Sequence, residues 1–132
     1  YGKSQTIRLI EELAEKSPNT LIISGLALGI DTIAHETAIK CGLKTVAVLG
    51  SGLQNIYPKN NIKLFEKIIN QGAVISEYSL NTPPIAKNFP ARNRIVSGLS
   101  KGVVIIEASQ RSGALITANF ALEHNRELFA LG

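Results

Sequence analysis

The sequence predicts an α/β fold: a three-layer, doubly wound and mostly parallel sheet. Short β-branched runs alternate with helical segments almost throughout the chain. The runs are continuously apolar, as strands covered on both faces are, rather than alternating in polarity. Glycine follows three of the helical segments, at Gly42, Gly72 and Gly102, where a left-handed cap favours it. Strands alternating with helices imply right-handed crossovers and parallel pairing.

Taken in order, Ser4–Lys16 places Ile7, Ile10, Leu13 and Ala14 on one helical face. No strand precedes this helix, so the alternation implies a first strand upstream, in a longer polypeptide of which these residues are a piece. Thr20–Ser24 is a strand, and Asp31–Cys41 is a helix with Ala34, Ala38 and Cys41 in register. Thr45–Leu49 is the next strand. Asn60–Gln71 is a helix facing inward through Leu64, Ile68 and Ile69, and Ala73–Ser76 follows as a strand. A helix over Asn93–Leu99, a strand over Gly102–Ile106, a helix over Ala114–His124 and a weaker strand over Glu127–Ala130 complete the series. The start without methionine and the apolar end Phe129–Gly132 agree with a piece of a larger architecture. The 132 residues, 45% hydrophobic, read as one domain spanning 1–132.

No run approaches the roughly 20 apolar residues of a membrane helix. The single cysteine, Cys41, excludes an internal disulfide and suits a reducing cytoplasm, and its apolar setting reads as a small core residue. Two histidines, His35 and His124, and one cysteine have no zinc spacing, so no metal is expected. No cofactor is expected either, and with no loop of the G-x-x-x-x-G-K-[ST] type ATP hydrolysis of that kind is not expected. His124 reads as a helix-end residue. The net charge of +4 is mild, but no carboxylate falls between Glu77 and Glu107, while Lys87, Arg92, Arg94 and Lys101 do. That concentration of positive charge points to an anionic partner.

In doubly wound sheets ligands bind beyond the carboxyl ends of the strands, which selects the segments following them. Ser24-Gly-Leu-Ala-Leu-Gly-Ile-Asp31 joins a strand to a helix. Gly25 and Gly29 allow close backbone approach, so this is either a phosphate loop or a tight turn with Asp31 near the helix start. Asp31 and His35 lie four apart and can pair, but no nucleophile stands beside them for a catalytic dyad. Gly50, Ser51 and Gly52 suggest a second phosphate loop, although Asn55 replaces the third glycine of a dinucleotide fingerprint and a turn leading into Tyr57-Pro58 explains the segment equally well.

Asn88-Phe-Pro-Ala-Arg-Asn-Arg94 is the most informative segment. Pro90 holds Phe89 extended and outside the helix. Arg92 and Arg94, two residues apart, point in different directions, one toward a ligand and the other bracing the loop. Arginine clamps phosphate and Phe89 offers a stacking face; alternatively an arginine is buried against Glu77 or Glu107 and Phe89 is core. Arg111, Ser112, Gly113 and Thr117, at the next strand-to-helix junction, form either an anion pocket or a simple helix cap.

These segments, in this order, resemble the DNA-processing protein A (DprA/Smf) family. The resemblance rests on Ser24–His35, Thr45–Pro58, Ile75–Tyr78, Phe89–Ile95 and Ser112–Ala118, and it spans nearly the whole chain. It implies a cytoplasmic bacterial protein with an extended Rossmann-like domain that binds and protects incoming single-stranded DNA in natural transformation or recombination, self-associates as a dimer, and helps load the RecA recombinase. It implies DNA contacts at Lys87, Phe89, Arg92, Asn93 and Arg94, then Arg111, Ser112, Gly113 and Thr117, and no catalysis. The family's Gly-Ser-Arg motif, which precedes a Tyr-Gly like Tyr1-Gly2, is not in this sequence, which implies weaker DNA binding by these residues alone. Two other readings stand beside this one. The chain could be a nucleotide-processing phosphoribohydrolase, whose Pro-Gly-Gly-x-Gly-Thr loop is missing here, or a RecA-recruiting or dimerisation scaffold.

Overall fold

The computed structural model describes residues 2–106 and 127–130. Helix α1 spans Gly2–Lys16, strand β1 Leu21–Ser24, helix α2 Ile30–Lys40 and strand β2 Lys44–Val48. A 3₁₀ turn at Lys59–Asn61 leads into helix α3, Ile62–Gln71, which is followed by β3, Gly72–Ile75. Helix α4 covers Asn88–Leu99, and strands β4 and β5 span Gly102–Ile105 and Glu127–Ala130.

The expected α/β class is what the chain adopts, with every ladder among the described residues parallel. β2 lies between β1 and β3, with Leu21 opposite Lys44 and Val48 opposite Ile75. β4 and β5 form a second, two-stranded ladder, Gly102 opposite Glu127. Among the described residues no ladder joins the two sheets.

Two apolar clusters hold the helices to the larger sheet. Leu26, Ala47, Leu49, Leu64 and Ile68 pack together, with Phe65 and Val74 against them, and so fasten α3 to β2 and β3. Ile68 is wholly buried, and removing such a side chain from water contributes about 2–3 kcal/mol. Ile10, Ala34, Ala38 and Leu43 form the second cluster, where the small side chains of α2 let α1 approach closely.

Several expectations change in detail. Ile69 does not join the core; it is 50% exposed, because Leu64 and Ile68 already fill the inward stripe of α3. Of the three proposed glycine caps only Gly42 is left-handed, at φ +79°. Gly72 is extended and opens β3, and a Cβ there would stand 1.9 Å from the Thr45 carbonyl oxygen of the neighbouring strand. Cys41 caps the end of α2 and is only half-buried. Phe89 lies inside α4, which begins five residues earlier than Asn93. Pro90 is tolerated because it sits in the first turn, where its missing N–H has no helical acceptor in any case. β1 is less covered than a strand buried on both faces, with Leu21 47% exposed. The helix expected at Ala114–His124 lies outside the described residues.

Candidate nucleic-acid interface

The loops beyond the carboxyl ends of β1, β2 and β3 are tied together by side chains that fold inward. Asp31, in the first turn of α2, accepts hydrogen bonds from Ser24 Oγ (2.6 Å), the Gly25 N–H (3.1 Å) and the Ala27 N–H (3.2 Å). The nest of backbone donors that a phosphate would need is thereby filled by the chain's own carboxylate. Gly29 makes the turn, at φ +88°, before the helix begins.

Leu26, between these donors, is wholly buried with φ +61°, a left-handed conformation that is costly for a leucine. Its N–H donates to Nε2 of His35 (3.2 Å), and Nδ1 of His35 lies 2.8 Å from Thr45 Oγ1. The Thr45 hydroxyl proton goes to the Ile22 carbonyl, so Nδ1 carries the imidazole proton. This arrangement needs a neutral ring. Burial pulls His35 from 6.5 to about 4, with the nearby Arg92 charge adding to the shift and Asp31 opposing it. Asp31 and His35 thus spend their hydrogen bonds on the loop, and a fully buried His35 is out of reach of any substrate.

Asn61, also buried, donates to the Leu26 carbonyl and to Thr32 Oγ1, both at 2.9 Å. Sequence reading missed this strut. A polar residue at a helix start looks like a cap, and a bond across 35 residues leaves no local signal.

Arg92 is the centre of the assembly. The guanidinium, 4% exposed, donates through Nη1 to the carbonyls of Gly25 (2.7 Å) and Val48, at the ends of β1 and β2. Its Nε donates to Asn93 Oδ1 (3.0 Å). Burial draws its pKa below the ordinary arginine value, with Asp31 and Tyr78 opposing. The glycines around it are spacers. A Cβ on Gly25 would meet the Arg92 guanidinium at 2.5 Å, and one on Gly50 would meet the Phe89 ring at 2.6 Å. Gly52 donates its N–H to the Thr82 carbonyl, and a Cβ there would lie 2.1 Å from the Ser79 carbonyl oxygen. Ser51, buried, donates to the Asn55 carbonyl. Gly25, Gly50, Ser51 and Gly52 are therefore engaged in joining the loops to one another.

Arg94 points elsewhere. It is half-exposed and pairs with Glu77 at the end of β3. Lys87 is exposed just before α4, and Asn93 is half-buried. Phe89 packs between Arg92, whose Cζ is 5.8 Å from the ring centroid, and Tyr57, whose ring is 5.5 Å away and tilted by 44°. Tyr57 is 47% exposed, so the pair offers an aromatic face to solvent. Sequence reading placed Tyr57 only in a turn, since the residue that supports it lies in another element. Arg111, Ser112, Gly113 and Thr117, together with Glu107, lie outside the described residues.

The family model for DNA recombination-mediator protein A matches residues 1–132. The chain belongs to this family. Among DprA/Smf relatives, Protein Smf of Escherichia coli is 48% identical over 132 residues, covering 99% of this chain and 35% of its own length. DNA processing protein DprA of Streptococcus pneumoniae is 47% identical over 128 residues, covering 96% of this chain and 45% of its own length. The chain therefore spans less than half the length of these relatives. Its backbone follows the crystal structure of S. pneumoniae DprA with a TM-score of 0.88, at 43% identity, covering 99% of this chain and 45% of that one. It also follows DNA processing protein A of Helicobacter pylori, a structure concerned with that protein's single-stranded DNA binding mode. There the TM-score is 0.89 at 40% identity, covering all of this chain and 59% of the other.

Proposed function

We propose that this chain is the single-stranded DNA-binding core of a DNA-processing and recombination protein, and that it binds rather than catalyses. The observation that carries this reading is the match along the whole chain to a relative studied for its single-stranded DNA binding mode. The geometry agrees with it. Lys87 and Arg94 offer cations on the α4 side of the strand ends, Asn93 lies between them in the same segment, and Phe89 with Tyr57 offers an aromatic face on which a base can stack. Arg92 serves in this reading as an internal brace that fixes α4 against β1 and β2, since its guanidinium is turned away from solvent. By resemblance, Arg111, Ser112, Gly113 and Thr117 add phosphate contacts. The whole protein works in the bacterial cytoplasm as a dimer, protecting incoming strands and handing them to RecA.

The test is fluorescence anisotropy with labelled single-stranded and duplex oligonucleotides over a range of salt. Single-strand preference with an affinity that falls as salt rises is the expected result. Equal, salt-independent or undetectable binding of both forms, by chain shown to be folded, would falsify the reading.

A further inference from the structure

Tyr57 lines two hollows. One it shares with Phe89, Pro90 and Asn93 at the candidate interface. The other, of about 320 Å³, lies between the loop that carries Tyr57, the start of α3 and Pro84. Its size falls at the small end of ordinary ligand sites, roughly 300–1,000 Å³. Ile56, Ile62, Phe65 and Pro84 make it apolar. Gln54 and Asn55 also line it, and their side-chain amides have no hydrogen-bond partner among the described residues.

The hollow is held open by the fold. Ile56 and Phe65 pack against the main apolar cluster. The Gln54 N–H donates to the Leu80 carbonyl (3.0 Å) and the Asn55 N–H to the Gly52 carbonyl (2.9 Å), which fixes the loop. Walls set in this way cost a ligand little ordering.

Charge says what enters. Lys59 lines the hollow, and Lys63 and Lys67 follow at intervals of four; all three are exposed and none is in an ion pair among the described residues. Residues four apart on a helix are neighbours, so these ammonium groups run as a row along α3. Glu66 is the one carboxylate of the lining. An apolar hollow that contains a carboxylate disfavours phosphate, whereas the row beside it attracts phosphate. A chain of anions that carries flat, neutral, hydrogen-bonding side groups satisfies both.

We infer that the hollow bounded by Tyr57, Ile62 and Phe65 takes one nucleobase of a bound single strand, whose backbone follows Lys59, Lys63 and Lys67 along α3. The inference rests on the single-strand reading above and extends the interface past Tyr57, which becomes the wall between two base sites. The amides of Gln54 and Asn55 each carry donors and an acceptor, so they suit the edge of any base, and the site tolerates sequence.

The experiment is fluorescence anisotropy with a labelled oligothymidylate and a fully abasic strand of equal length, on the chain and three variants shown to be folded by circular dichroism. Ile62→Trp fills the hollow from a position that is 44% exposed. It should weaken oligothymidylate binding roughly tenfold, within the worth of one stacked base, and leave abasic binding unchanged. Lys63→Ala should lower the salt slope by about 0.7 on both strands. Ile69→Trp, exposed on α3 and outside the hollow, should bind as the parent does. Should Ile62→Trp not fold, photocrosslinking of a 5-iodouracil strand to the parent chain must label the Ile62–Lys67 segment. If the folded parent binds neither strand, the single-strand reading falls and this site with it. If the parent binds oligothymidylate and Ile62→Trp binds it equally well, this site alone is overturned. An equal loss on both strands overturns the nucleobase as occupant, and an unchanged slope in Lys63→Ala overturns the path along α3. A change of oligomeric state in Ile62→Trp at unchanged affinity also overturns the proposal, because a second copy would then be the occupant.

Discussion

At the scale of single residues, two arginines close together in sequence have opposite fates, and the difference is measurable. Arg94 is half-exposed and free to exchange Glu77 for a phosphate, so Arg94→Ala should weaken single-strand binding and lower the salt slope by about 0.7. Arg92→Ala should cost about 2–4 kcal/mol in a denaturant titration, because it strands the buried carbonyls of Gly25 and Val48. If Arg92 is a brace, the folded fraction of that variant keeps the parental salt slope; a slope lowered as in the Arg94 variant would place Arg92 on the DNA instead. Tyr57→Ala should lose about 1–3 kcal/mol of affinity, that of one stacked base, with the slope unchanged. The sequence showed that the two arginines must diverge, since residues two apart on a helix cannot share a face. Which one turns inward was hidden, because it depends on the space left by Gly25, 67 residues away.

At the scale of elements, the β1–α2 connection behaves as a unit held by Asp31, His35 and Asn61. His35 is neutral when folded, with its pKa lowered to about 4, and ordinary when unfolded, near 6.5. Between those values the unfolded chain binds more protons, so stability is full above about pH 6.5 and declines as pH falls toward 4. The loss from this group approaches roughly 3 kcal/mol. His35→Gln should flatten that part of the pH–stability profile, whatever its effect on stability at neutral pH. Gly52→Ala sets backbone against backbone at Ser79, and should destabilise the junction of the two loops by more than about 2 kcal/mol. Strand and helix positions were largely legible here because hydrophobic period is a local property. The start of α4 was misread because proline was taken as a barrier, when in the first turn it is compatible with helix. The glycines of 50–52 resembled a ligand loop because close packing and ligand approach ask for the same residue.

At the scale of the whole molecule, the α/β class and parallel direction followed from the alternation of elements, while the two separate ladders among the described residues did not, since pairing partners are set by long-range topology. One feature of the core reaches the surface chemistry. Leu26 is at once a member of the main apolar cluster and the donor to His35, so the loop that frames the candidate interface cannot open without disturbing the interior. Exchange of the Leu26 amide should accordingly track global unfolding, slowing in step with overall stability rather than with local fraying. A surface made this way is stiff before it meets its partner. The entropy of ordering it has been spent during folding, and a flexible strand arriving there has only its own freedom to lose.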